Sequence, residues 1–120
     1  MTLQECYEKM GANYDEVKRH LIKEERIQKI LLLFLKDPSY DSLQAAMASG
    51  DRDTAFRAAH TLKGISLNLG LTFLQQSSSA LSEALRNDPP AENAQSLYEA
   101  LIPDYERVAS AIRQFQSELG

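Results

Sequence analysis

Between Tyr98 and Leu119 the residues Tyr98, Leu101, Tyr105, Val108, Ile112, Phe115 and Leu119 recur at alternating spacings of three and four without a slip. A strand turns its side chains over at every second residue, so this period demands a helix. It is also the period of a seam that packs against other helices in a left-handed bundle. The helix carrying it is expected to begin near Ala91. Pro103 lies inside it, lacks a backbone donor and crowds the carbonyl of Glu99, which predicts a kink.

The same spacing runs back through the chain. Ala55, Ala59, Leu62, Ser66 and Leu69 form one stripe, and Leu71, Leu74, Ser78, Leu81 and Leu85 form another, with Phe73, Ser77, Ala80 and Ala84 beside it. Gly70 separates the two stripes and suits a left-handed helix end. Thr72 and Gln75 read as a capping box for the helix that follows, so the turn should be tight and the pair antiparallel. Arg86-Asn87-Asp88-Pro89-Pro90 is the clearest loop. Upstream, Ile27, Ile30, Leu31, Phe34 and Leu35, widened by Leu32 and Leu33, predict the most buried helix. Asp37-Pro38 stops it, with Pro38 placed at the first position of the next helix. That next helix turns Tyr40, Leu43 and Met47 inward and closes at Gly50, after which Asp51 or Asp53 caps the Ala55 helix. Near the N-terminus, Thr2 with Glu5 and Asn13 with Glu16 have capping-box spacing, Met10-Gly11 ends the first short helix, and Lys23-Glu24-Glu25-Arg26 either breaks the phase or joins two helices. The expected fold is all-α: an up-down antiparallel four-helix bundle with additional short N-terminal helices, forming one domain over residues 1–120.

Composition narrows the function. The 120 residues are 43% hydrophobic and 25% charged, as in an ordinary globular protein. A net charge of −4 argues against nucleic acid, which requires a basic face. Cys6 is the only cysteine, so no internal disulfide forms and a reducing compartment is expected. The longest apolar run, Ile30 to Leu35, is far below the ~20 residues of a membrane span, and the N-terminus lacks a leader pattern. A cytoplasmic, monomeric protein is the expectation. There is no glycine-rich phosphate loop, Cys/His cluster or G-x-S-x-G nucleophile, so neither ATP binding nor a metal site is expected.

One stretch asks for chemistry: Ala58-Ala59-His60-Thr61-Leu62-Lys63-Gly64, continuing to Asn68-Leu69-Gly70. His60 stands one residue past the apolar stripe, about 100° around the helix, at or outside the core edge. A lone helical histidine is ordinarily solvated or satisfied in the core, and His20, beside Lys18, Arg19 and Lys23, is read that way. Gly64 sets His60 apart. A glycine inside a helix costs about 1 kcal/mol relative to alanine. Helical side chains lean toward the N-terminus, so a side chain at 64 would cover the imidazole, and glycine leaves it open. Lys63 leans the same way and brings a cation near the ring. An exposed imidazole, with a reference pKa near 6.5, is mostly neutral at pH 7 and can act as a nucleophile. An open ring, a cation and a cleared approach suit a histidine that carries a phosphoryl group.

His60-Thr61-Leu62-Lys63-Gly64 followed by Gly70, with Ala59, Asn68 and Leu69 around it, resembles the signature of histidine-containing phosphotransfer (HPt) domains. The similarity runs over nearly the whole chain in length and helix order. It implies a helical bundle, reversible phosphorylation of His60 by the aspartyl phosphate of a response-regulator receiver domain, and no autokinase activity. Lys63 would offset phosphoryl charge, with Arg57 a weaker candidate, and Gly64, Arg57 and Leu67 would face the docked partner. No cofactor is implied for this chain, because magnesium and the acceptor aspartate belong to the receiver. Position 82 corresponds to one where some members carry a longer polar side chain that hydrogen-bonds the imidazole. Here it is Ser82, which leaves Ser78 and Gln75 as further candidates for orienting the ring. The dimerisation domain of a sensor kinase would place an acidic residue after the histidine and then a proline, and Thr61 and Gly64 break that pattern. The phosphotransfer module of a chemotaxis-type kinase has a close motif but is fused to a catalytic domain, whereas this chain ends at Gly120. A helical adaptor with an incidental His60 is the third alternative.

Overall fold

The structure, a computed structural model, describes residues 1–21 and 23–119. Gly120, the last residue of the expected domain, lies outside them. Among the described residues the chain forms seven helices and no strand: α1 Leu3–Met10, α2 Tyr14–Leu21, α3 Glu24–Phe34, α4 Ser39–Ser49, α5 Arg52–Leu69, α6 Thr72–Leu85 and α7 Ala94–Glu118. The last four make the antiparallel bundle, with α5 packed most extensively on α6, and α4 and α7 on the flanks. The first three cover one end, α1 lying against α7 and α2 against α3 and α5. No helix among the described residues is long and apolar enough to cross a membrane.

Local signals set most boundaries. Thr2 accepts from the Glu5 amide while the Glu5 carboxylate accepts from the Thr2 amide, a complete capping box that holds the Glu5 carboxyl below its usual range. Asn13 caps α2 through the Glu16 amide at 3.0 Å. Asp37 accepts from the Ser39 amide at 2.8 Å, so Pro38 stands just before α4 rather than at its first position. Gly11, Gly50 and Gly70 all end helices in the left-handed region. The phase break falls before Glu24, and Glu24–Arg26 form the first turn of α3.

Four further expectations are corrected. Thr72 does not cap α6; Leu71 stands at that position without a side-chain bond, and the tight turn is made by Gly70 alone. The most buried helices are α5, α6 and α7, not α3, which buries only Ile27, Leu31 and Phe34 and leaves Leu33 54% exposed. It lies on the outside of the bundle, so one stripe suffices. Helix α7 starts at Ala94, because residues 91–93 first form a turn after the proline loop. Finally, the apolar stripes thin at their ends: Met47 and Tyr98 are half-buried, and Phe73 and Leu119 are exposed. Helix α7 continues through Pro103.

The core is aliphatic in the middle and aromatic at its edges. The Tyr40 and Tyr105 rings stack at 3.6 Å and 9°, and Phe34 tilts against Tyr105 at 5.7 Å, tying α3 and α4 to α7. Cys6 is buried and unpaired, and burial raises its thiol pKa to about 11, which keeps it unreactive.

Two contacts pin the N-terminal helices to the α5–α6 turn. The Asn13 amide donates to the Gly70 carbonyl at 2.9 Å. The buried Tyr7 hydroxyl donates to the Leu69 carbonyl at 2.8 Å. Replacing Tyr7 with Phe should cost about 1 kcal/mol, the net worth of such a bond. Burial raises the Tyr7 phenol above its ordinary pKa of 10.0, so the folded state holds the proton more tightly. The stabilisation this brings is complete below the unfolded pKa and declines as pH rises above it. Urea titrations from pH 7 to 11 should therefore show wild-type stability falling toward that of Tyr7→Phe at the alkaline end.

Candidate functional site

Helix α5 carries the candidate residues, and its ends explain its position. At the start, the Asp51 carboxylate accepts from the Thr54 hydroxyl at 2.7 Å and the Thr54 amide at 3.2 Å, which lowers its pKa. At the end, Gly70 has φ 70°, and a Cβ there would lie 2.7 Å from the Asn13 carbonyl oxygen. Only glycine fits. Between these ends Ala55, Ala59, Leu62, Ser66 and Leu69 are all buried, as their spacing requires.

His60 is exposed beside buried Ala59, at the ninth position of the 18-residue helix. Gly64, Leu67 and Asn68 share its face and are exposed, Leu67 by 53%. A Cβ on Gly64 would meet nothing within 4 Å. No packing contact accounts for this glycine. His20 is also exposed and, with Leu21, Ile30, Ile65, Asn68 and Leu69, lines an open cleft of about 440 Å³.

The basic candidates separate. Arg57 reaches back one turn to Asp53, 2.7 Å away, instead of forward to His60. Lys63 is half-buried and makes no ion pair within 4.0 Å among the described residues. Its charge is felt by Glu83 on α6, whose carboxyl is held below its usual range first by hydrogen bonds from Arg86, then by the charge of Arg86, with Lys63 adding to both.

None of the candidates for orienting the ring does so. The Ser82 hydroxyl is buried without a partner, and the Ser78 hydroxyl donates to the Leu74 carbonyl within its own helix. Gln75 lies by Ser66, Leu67 and Gly70, near the far end of α5. The group against the imidazole is Phe56, whose ring stacks on it with centroids 6.0 Å apart and planes 25° apart. The Arg86 guanidinium lies over the Phe56 ring at 5.4 Å and pairs with Glu83 at 2.8 Å. The spacing of Phe56 four residues before His60 would have shown the first contact, but Arg86 sits in what reads as a loop.

A family model described as Hpt domain matches residues 37–118. The fold is similar to the crystal structure of the HPT domain from a sensor hybrid histidine kinase of Shewanella, with a TM-score of 0.77 and 21% identity. The match covers 91% of this chain and 96% of the other. No curated relative matches. The family match begins at Asp37, so it takes in the four bundle helices and leaves α1 to α3 outside.

The open space at Gly64 has a direct consequence for stability. Gly64→Ala should raise the unfolding free energy by up to about 1 kcal/mol, and Gly64→Gln should be at least neutral. Gly70→Ala should do the opposite, losing at least about 1 kcal/mol to the left-handed backbone alone. Thermal unfolding of the three variants beside wild type checks the contrast.

Proposed function

This chain belongs to the Hpt domain family, a phosphotransfer module of two-component signalling, and on that premise we propose that His60 is its phosphoacceptor. The observation that carries the reading is the exposed imidazole beside a glycine that no packing contact requires. A ring nitrogen attacks the phosphorus of an aspartyl phosphate on a receiver domain. The new N–P bond forms as the P–O bond to the aspartate breaks, and the carboxylate leaves. The reverse step passes the group to another receiver.

Phosphoryl transfer depends mainly on positioning and charge neutralisation. Lys63, which has no ion pair among the described residues, can meet the phosphoryl oxygens. Arg57, committed to Asp53, contributes less. The exposed face of Gly64, Leu67 and Asn68 is where the receiver would lie, with magnesium and the acceptor aspartate on its side. The protein acts as a carrier in this reading, receiving its phosphoryl group from a partner.

Incubation with a phosphorylated receiver and magnesium should label the wild type, His20→Gln equally, and His60→Gln not at all. Label that survives His60→Gln and vanishes with His20→Gln would overturn the assignment. In the same assay Gly64→Gln should lose most transfer while staying folded, with Gly64→Ala intermediate.

Lys63→Ala should slow transfer and change the lifetime of the phosphohistidine, yet move stability by less than about 0.5 kcal/mol. Because the effect is electrostatic, the gap from wild type should narrow as salt rises. Rates and lifetimes at several ionic strengths test this.

A further inference from the structure

We propose that Phe56 is the positioning residue for the phosphoacceptor, taking the place of a hydrogen-bonding side chain, and that the Arg86–Glu83 pair holds it there. The inference rests on the reading of His60 as the acceptor. A histidine side chain turns about two bonds, and an exposed one has no packing to fix either. Transfer requires one ring nitrogen to point at the incoming phosphorus, so a freely turning ring loses rate in proportion to the time spent elsewhere. Some group must select the orientation.

The polar candidates are disqualified by their own geometry. Ser82 is 1% exposed with an unpartnered hydroxyl, and Ser78 is turned to its own helix. Phe56 remains. Helical side chains lean back toward the N-terminus, so the imidazole at 60 leans over the residue four positions earlier. The 25° angle and 6.0 Å separation are those of an offset stack, which restrains the ring while leaving its nitrogens unbonded. A hydrogen-bonding partner would occupy one nitrogen; an aromatic face occupies neither.

Phe56 is itself half-buried and packed against the core. Its outer part is covered by the Arg86 guanidinium at 5.4 Å, and Arg86 is fixed by Glu83 at 2.8 Å. The cation is thus held by two contacts on α6 and α5, and the order passes from Glu83 through Arg86 and Phe56 to His60. This arrangement also neutralises Glu83, whose carboxylate would otherwise repel a phosphoryl group arriving near Lys63.

The test separates orientation from docking and from packing. His60 side-chain coupling constants, measured by NMR on the unphosphorylated protein, report ring orientation without any partner. Phosphoramidate, which donates phosphate as its P–N bond breaks and ammonia leaves, reports reactivity without a receiver. Phe56→Leu preserves apolar packing, and Phe56→Tyr preserves the stack. In Phe56→Leu the couplings should average toward free rotation and transfer from both donors should slow roughly two- to ten-fold, the range an aromatic pair allows. Phe56→Tyr should restore both, and Arg86→Gln should fall between. Unchanged couplings and rates in Phe56→Leu overturn the proposal. Slower transfer from the receiver alone, with couplings and phosphoramidate rates unchanged, also overturns it, since Phe56 would then be a docking residue. Label persisting in His60→Gln refutes the acceptor assignment instead, and the couplings still show whether Phe56 orders the ring.

Discussion

The contact on which the rest depends is the close packing of α5 against α6. Both helices bury small side chains: Ala55, Ala58, Ala59 and Ser66 on α5, Ser78, Ser82 and Ala84 on α6. Small residues let two backbones approach, and the large aliphatic residues between them then fill the space at native density. The cost is visible in the Ser66 and Ser82 hydroxyls, which are buried without hydrogen-bond partners. What the close approach brings is placement. Ala59 is fully buried, so its neighbour His60 must stand at the rim of the helix pair, where α6 supplies Glu83 and Arg86.

That geometry brings two helices to the His60 face: α5 carries the imidazole and Phe56, and the Glu83–Arg86 pair stands at the end of α6. The exposure of His60, the gap at Gly64 and the lean of Lys63 follow from helical periodicity. The electrostatic surroundings come from α6, through Glu83 and its partners. A carboxylate beside the proposed phosphoryl acceptor would be unfavourable alone. Here it is matched by Arg86 directly and by Lys63 at longer range. Arg86 offsets the Glu83 carboxylate, which leaves the Lys63 ammonium without an ion pair among the described residues.

Much of this was legible in the residues. Periodicity gave the bundle and the buried stripe of α5, glycine gave three helix ends, and the His60 motif gave the family. The failures share a cause. The stripe Ile27 to Leu35 is apolar enough for a central helix, but apolarity does not say how many neighbours a helix will have, and α3 has few. Thr72 has capping spacing, yet the left-handed Gly70 closes the turn two residues earlier. A phenylalanine at the edge of an apolar stripe reads as core, and Phe56 packs both against the core and against the imidazole. Arg86 could not be placed from sequence, since its position on the Phe56 ring depends on how α6 aligns with α5.

The two ends of the α5–α6 pair are closed by different means. At one end stands the Gly70 turn with Asn13 bonded to it; at the other, Arg52 donates to the Leu85 carbonyl at 2.7 Å and to that of Arg86 at 3.3 Å. A hairpin clasped at both ends cannot fray from either, so the amides around His60 should exchange with solvent only through large-scale opening. A partner meeting such a surface finds it already ordered and incurs little entropy in binding it. Discrimination among partners then rests on surface fit, with no step in which this protein first has to change shape.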